Sequence, residues 1–208
     1  MQARYYDPII GRFYSNDPVD AVSHLGNAEG IKGFNRYSYA VNNPYKYTDP
    51  SGNEILPVGN AQQKAAINKS LTKIEQSNPK SAARIKTLRN SKNVHIVRFP
   101  RSGENPVNKT LPIKANESNG IGTGSETVVD VTKSLTTTNT DGSPVVNSGE
   151  AILAHELLGH GLDKDQGVID RSVNPATGEK RSEESAMAAE NEYKDAVGEK
   201  RRDCHSTC

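Results

Sequence analysis

"AILAHELLGHGLD", residues 151–163, restricts the fold more than any other stretch: two histidines and a glutamate interrupt an apolar segment, and His155 and His160 lie five positions apart. Two helical histidines meet at one metal ion when they are at i and i+4, about 40° apart around the axis. Five positions amount to about 140° at ~100° per residue, which turns the rings away from each other on a regular helix. They converge only if the helix absorbs one extra residue, as in a π-bulge, a distortion often found at functional sites. Gly159, directly before the second histidine, eases such a distortion. Two readings follow. One is a metal-binding helix with an i to i+5 hydrogen bond, or a broken i to i+4 bond, between Ala154 and Gly161, and with Leu157 and Leu158 turned into the core. The other is an ordinary buried helix whose core face is Ile152, Leu153, Leu157 and Leu158, with the histidines at its edge.

Composition favours a small core that needs support. Of 208 residues, 33% are apolar and 25% charged, there is no Trp, and the mean hydropathy is −0.73. A zinc-supported domain suits that constraint. The net charge of +1, from 26 basic and 25 acidic residues, gives no electrostatic reason to expect nucleic acid or an anionic membrane as the main partner. No apolar run approaches the ~20 residues of a membrane span, and "MQARYYDPIIGRF" lacks the apolar stretch of a secretory signal. Cys204 and Cys208, the only cysteines, can close a local loop in the tail but cannot staple the fold.

Residues 1–53 differ from the rest, holding seven of the eight tyrosines and two of the three phenylalanines among repeated Asp-Pro and Asn-Pro pairs. Short runs such as "RFYS" and "RYSYAV", broken by "DP", "NNP" and "DPSG", read as a β- and turn-rich module. "ARYYDPIIGRFYSNDP" and "NRYSYAVNNPYKYTDPSGN" together resemble the C-terminal end of the RHS-repeat-associated core of Rhs and YD-repeat proteins. That family builds a long shell around the polypeptide that follows, commonly a toxin, and often releases it by self-cleavage just after "DPxG". Leu usually follows that glycine; here Asn53 does.

Residues 54–208 are then the cargo. Helices are expected at 60–77 and from Pro79 to 91, strands at 93–99 and 126–134, and a polar, Gly-rich loop at 101–125. "DGSP" marks a turn, and the histidine helix follows with Asn147 or Ser148 as its cap. A second helix follows over 181–200 with Ser182 as candidate cap. The fold class expected is α+β: a zincin-like domain with a zinc-binding helix pair and a small β-sheet, preceded by the Rhs fragment.

"HELLGH" at 155–160 is similar to the zinc signature of dipeptidyl peptidase III, a gluzincin family whose metal helix carries the same one-residue insertion. A Glu-Glu pair on a following helix completes its site. "EESAMAAEN", from Glu183, supplies such a pair 23 residues after His160 but lacks the Cys-Arg that follows it in that family. It is also similar to the "E-x-x-A-x-x-x-E-N" helix of short zincin toxins carried by Rhs shells, with Glu183, Ala186, Glu190 and Asn191 in place. The resemblance implies Zn2+ held by His155, His160 and Glu184, with Glu183 orienting a ligand. Glu156 then acts as general base toward a zinc-activated water. It further implies secretion by a bacterial secretion system into a target-cell cytoplasm, a protein substrate there, and a cognate immunity protein in the producer. The alternative is a non-catalytic, metal-stabilised binding module attached to the shell.

Several residues carry open alternatives. Asp163 and Asp165 are either solvated helix-end residues or partners of a ligand histidine. The "RRDCHSTC" tail is frayed, holds a second zinc, or folds back so that His205 donates to a developing oxyanion, with Tyr193 as rival donor. The strand at 126–134 either pairs with an extended substrate or lies in the core. His95 and His24 are expected to be structural.

Overall fold

The computed structural model describes residues 6–7, 12–13, 55–104, 108–113, 120–168 and 170–205. His24, the Asn53 junction and Cys208 lie outside them. The chain divides into two compact units, residues 1–53 and 54–208. Within the first, β1 (Tyr6–Asp7) pairs antiparallel with β2 (Arg12–Phe13), Tyr6 opposite Phe13.

The second unit is α+β. Its sheet has the order β3-β4-β6-β5, from β3 (Ile55–Val58), β4 (His95–Arg98), β5 (Lys109–Pro112) and β6 (Ser125–Val128). β3, β4 and β6 run parallel, and β5 closes the edge antiparallel, with Thr110 opposite Thr127. Parallel neighbours need a long crossover. Between β3 and β4 it is made by α1 (Ala61–Ser77) and α2 (Pro79–Arg89). Asn60 and Gln63 form a reciprocal capping box at the start of α1. Asn78 caps α2 by accepting from Ser81 N, and Pro79 sits where its missing N–H costs nothing.

A hairpin follows, β7 (Leu135–Thr138) with β8 (Pro144–Asn147), turning at the "DGSP" segment. Ser148 caps α3 (Gly149–Leu153), which runs without a break into a π-helix (Ala154–Gly161) and α4 (Leu162–Gln166). α5 (Arg181–Val197) returns against the π-helix. The core joins Ile67 and Ile74 of α1, Ile85 and Leu88 of α2, Val97 of β4, and Leu153, Leu157 and Leu158. Among the described residues no helix is long and apolar enough to cross a membrane.

Three expectations are corrected. The stretch 101–125 is not all loop, because it contains β5, a four-residue strand whose partner is the β6 backbone and whose own residues carry little apolar signal. Pro112 is tolerated there because β5 is an edge strand. β6 stops at Val128 and does not run to 134: Asp130 Oδ1 accepts from Thr132 N at 3.1 Å and from its hydroxyl at 2.6 Å, which favours a turn over the ladder. The cap of α5 is Lys180 and not Ser182, so the acidic pair stands in the first turn.

Candidate metal centre

The five-residue histidine spacing is accommodated by eight consecutive π-helical residues, Ala154–Gly161, with Leu157 and Leu158 fully buried. Carbonyls of this segment are met by side chains from other elements. Arg84 of α2 donates Nη1 to Leu158 O at 3.2 Å while its Nε bonds Glu192 Oε2 at 3.0 Å, and the Thr110 hydroxyl of β5 lies 2.9 Å from Glu156 O. The result brings the two imidazoles together edge to face, with ring centroids 5.1 Å apart.

The third group comes from α5. Glu183 Oε2 lies 3.2 Å from His160 Nε2 and 3.6 Å from His155 Nε2, and donor atoms of the three residues all fall within 4.8 Å of one another. Two nitrogens and one carboxylate oxygen are a zinc donor set, and bonds of about 2.0–2.1 Å in a tetrahedron place neighbouring donors about 3.3–3.5 Å apart. The observed N–O separations bracket that spacing, so the residues fit the ion. Among the described residues no other group of three or more His, Cys, Asp or Glu converges in this way.

Glu184, expected as the third ligand, does not reach the histidines. Its Oε1 accepts from Asn174 Nδ2 at 2.7 Å and from the Thr177 hydroxyl at 2.6 Å, which ties it to the loop before α5. Adjacent helical positions point about 100° apart, so only one member of the pair can face the π-helix. Gly159 allows the approach: a Cβ there would lie 2.4 Å from Ala186 Cα. The expected role of this glycine was to ease the bulge; the close helix contact is what requires it. The "E-x-x-A-x-x-x-E-N" pattern thus has a physical use at every position. Glu183 meets the histidines, Ala186 packs on Gly159, Glu190 Oε2 lies 3.0 Å from His155 Nδ1, and Asn191 bonds the backbone of Arg202.

The charges are strongly coupled. Burial works against a protonated His155, yet Glu183 and Glu190 outweigh it and raise the ring to about 9. Glu183 is likewise opposed by burial but held well below the usual carboxylate range by His155 and His160. Burial also disfavours the Glu190 anion, while His155, Lys194 and Arg202 bring it down to about 2. Each of the paired groups stabilises the charge of the others.

Glu156 Oε2 lies 2.9 Å from the Thr110 hydroxyl, which places the candidate base on the wall of the cleft. The cleft, about 340 Å³, is also lined by Lys109, His160, Asp163, Glu183 and His205. The remaining candidates fall as follows. Asp163 lines the cleft 3.4 Å from the Ser185 hydroxyl, and burial pushes its carboxyl up. Asp165 turns away to His95, whose Nδ1 meets Ser125 Oγ at 2.9 Å, and this trio joins α4 to the sheet. Tyr193 is fully buried and does not line the cleft. Both edges of β6 are paired, so β5 is the edge strand at the cleft. Cys204 is disulfide-bonded, which removes its thiolate as a metal ligand. His205 is part of the cleft wall, not of a frayed end. Arg202, Glu179 and Glu190 are the partners that fasten this tail. No known protein family, curated protein or solved structure matches the chain.

Proposed function

We propose that residues 54–208 form a zinc-dependent metallopeptidase of the zincin type, carried as the toxin cargo of an Rhs shell whose last segment is residues 1–53. The observation that carries the reading is the convergence of His155 Nε2, His160 Nε2 and Glu183 Oε2 in an open cleft that Glu156 also lines. A zinc ion at these three residues supplies Lewis-acid chemistry, polarising a water and a peptide carbonyl.

The chain's own residues do the rest. Glu156 takes the proton of the attacking water and returns it to the leaving amine, and Thr110 holds its carboxylate on the cleft wall beforehand. Glu190 accepts Nδ1–H of His155, which fixes the tautomer that leaves Nε2 free to bind metal. Among the described residues no strand pairs with the outer edge of β5, which offers backbone groups to an extended peptide. The Rhs-like segment supports delivery by a bacterial secretion system, a protein substrate in the recipient cytoplasm and an immunity protein in the producer.

Metal analysis of the purified chain, followed by mapping of new protein termini in target cells expressing wild type or Glu156→Gln, tests the reading. About one zinc per chain in both proteins is expected, with new termini in wild type alone. Equal zinc and no Glu156-dependent cleavage would leave a metal-stabilised binding module.

A further inference from the structure

Apart from His160, Glu183, Glu156 and His205, the charged side chains on the cleft wall are Lys109, Lys164, Arg171 and Asp163. Basic groups thus outnumber acidic ones on the part of the wall that the metal and the base do not use. Lys109 is engaged within the fold: its Nζ lies 3.0 Å from Glu104 Oε1, and that carboxylate also receives both Nη atoms of Arg98, at 2.7 and 2.9 Å. Asp163 accepts from the Ser185 hydroxyl of α5 at 3.4 Å. Lys164 and Arg171 come from one stretch of chain, the end of α4 and the loop that follows it, and Val168 between them lines the same cleft.

That loop is fastened along its length. Gly167 ends α4 at φ 67°, where a Cβ would stand 2.6 Å from Gly120 C, so the chain turns against residues 120–121 at a place that only glycine fits. Ser172 donates from N and Oγ to Asp170 Oδ1 at 2.9 and 2.5 Å, and Val173 pairs with Lys180 across an antiparallel bridge. Arg181 N and Ser182 N donate to Ser172 O and Asp170 O at 3.0 and 3.2 Å, respectively. Glu184, in the first turn of α5, secures the far end: its Oε1 accepts from Asn174 Nδ2 at 2.7 Å and from the Thr177 hydroxyl at 2.6 Å. One turn of helix therefore serves two purposes. Glu183 faces the histidines, and its neighbour holds the loop from which Arg171 lines the cleft.

We infer that Lys164 and Arg171 form a subsite for an acidic side chain of the substrate close to the scissile bond, and that Glu184 is the positioning residue that holds the loop of this subsite. The inference rests on the peptidase reading and names the class of substrate it takes. A carboxylate that enters the cleft gives up water, and this is costly unless protein donors replace it. An ammonium and a guanidinium supply charge-assisted N–H donors, the second in a planar fork that suits two carboxylate oxygens. Val168, 52% exposed, offers an apolar surface to the methylenes that carry the carboxylate. The same two cations repel a lysine or arginine at that position, so the subsite selects by rejection as well as by attraction.

The test uses the full chain loaded with zinc and a fluorogenic peptide library randomised around the scissile bond, then three peptides of the selected sequence with Glu, Gln or Lys at the acidic position. Wild type should favour Glu over Gln by about 10–100-fold in kcat/KM, the factor that corresponds to a hydrogen bond with a charged group. Lys164→Glu combined with Arg171→Glu should reverse the order, so that the Lys peptide is cleaved best. Glu184→Ala should lose most of the Glu-over-Gln ratio through KM while keeping its zinc, and Glu184→Gln, which retains the Oε1 acceptor, should restore it. A library without acidic preference, or a preference that survives the charge reversal, overturns the subsite; an unchanged ratio in Glu184→Ala overturns the positioning role. Affinity selection of the same library on zinc-loaded Glu156→Gln gives a readout that needs no turnover. If wild type cleaves nothing while acidic peptides are retained in a way that depends on Lys164 and Arg171, the peptidase reading falls and the subsite stands; if no acidic peptides are retained, the subsite falls.

Discussion

Glu190 Oε2 stands 3.0 Å from His155 Nδ1, and the same buried carboxylate has Lys194 Nζ 2.9 Å from Oε1 and Arg202 Nη1 3.4 Å from Oε2. Three positive or proton-donating groups thus share one anion with almost no access to water. Neutralising it in Glu190→Gln takes the anion from Lys194, which is fully buried and keeps Asn147 Oδ1 as its acceptor. Removing one partner of a buried ion pair costs about 3–5 kcal/mol, and losing the partner that orients a ligand histidine costs about 10–100-fold in metal affinity. Denaturant unfolding and competitive zinc titration should show both losses. A variant with wild-type stability would mean that Glu190 is dispensable as a hub.

The placement of Glu183 and Glu184 separates their roles. Glu183→Ala should abolish tight zinc binding, because no other described carboxylate shares the histidines' reach. Glu184→Ala gives up only the Asn174 and Thr177 contacts and should cost about 1 kcal/mol per hydrogen bond, with zinc retained. Zinc content by mass spectrometry decides it, and retention in Glu183→Ala with loss in Glu184→Ala would reverse the assignment.

How much of this was legible depends on where the information resides. The histidine spacing announced the helix distortion, since no regular helix brings positions five apart together, and the helices expected at 60–77 and 79–91 were readable from Pro79 and their apolar period and form at 61–77 and 79–89. The choice within "EESAMAAEN" was not, because it depends on the rotation of α5 about its axis, which the Gly159–Ala186 contact sets from another helix. β5 was hidden for a similar reason: its ladder is made with the β6 backbone, and "KTLP" has no alternation of its own. The C-terminal tail was harder still. His205 is held by Arg202 and Glu179, 3 and 26 positions away, and the residues before it by Asn139 and Thr140, 62 to 64 positions from their partners, and only the fold brings these groups together.

Gly159→Ala tests the helix contact directly. The new methyl would lie 2.4 Å from Ala186 Cα and 2.7 Å from its Cβ, so α5 must shift. Overpacking of this kind costs about 1–3 kcal/mol. Because Glu183 is on the displaced helix, zinc affinity should fall along with stability, unlike a core variant remote from α5. Lower stability with unchanged zinc affinity would mean that the helices part without moving Glu183.

Asp165 provides a pH dependence independent of the metal ligands. Burial alone would raise its carboxyl, but hydrogen bonds from His95, Ser91 and Asn93 outweigh it and lower the folded value below the unfolded 3.8. A depressed carboxylate contributes stability that is fully present above its unfolded pKa and is lost as pH falls through the folded one. The stability difference between wild type and Asp165→Asn should therefore be constant above pH about 5 and shrink below about 3.8. Urea unfolding at pH 7, 4.5 and 3 measures it; parallel curves down to pH 3 would show that the charge contributes nothing.

Deleting Leu157, to give "HELGH", asks whether the π-helix is required by the metal or by the core. With the extra residue gone the histidines stand at i and i+4, about 40° apart on a regular helix, and both still face α5. Zinc binding should survive. The cost falls on packing: Leu157 and Leu158 are both buried, and removing one rotates every side chain beyond the cut by about 100°. A buried leucine truncated to alanine already costs about 2–5 kcal/mol, so the deletion should cost at least that. It also shifts the carbonyls that meet Arg84 Nη1 and the Thr110 hydroxyl, loosening α2 and β5 from the histidine helix. Glu156 precedes the cut and keeps its place relative to His155, so residual turnover should track the folded fraction. If zinc is lost while the fold holds, the bulge itself shapes the ligand geometry and is not merely a way to accommodate an inserted leucine.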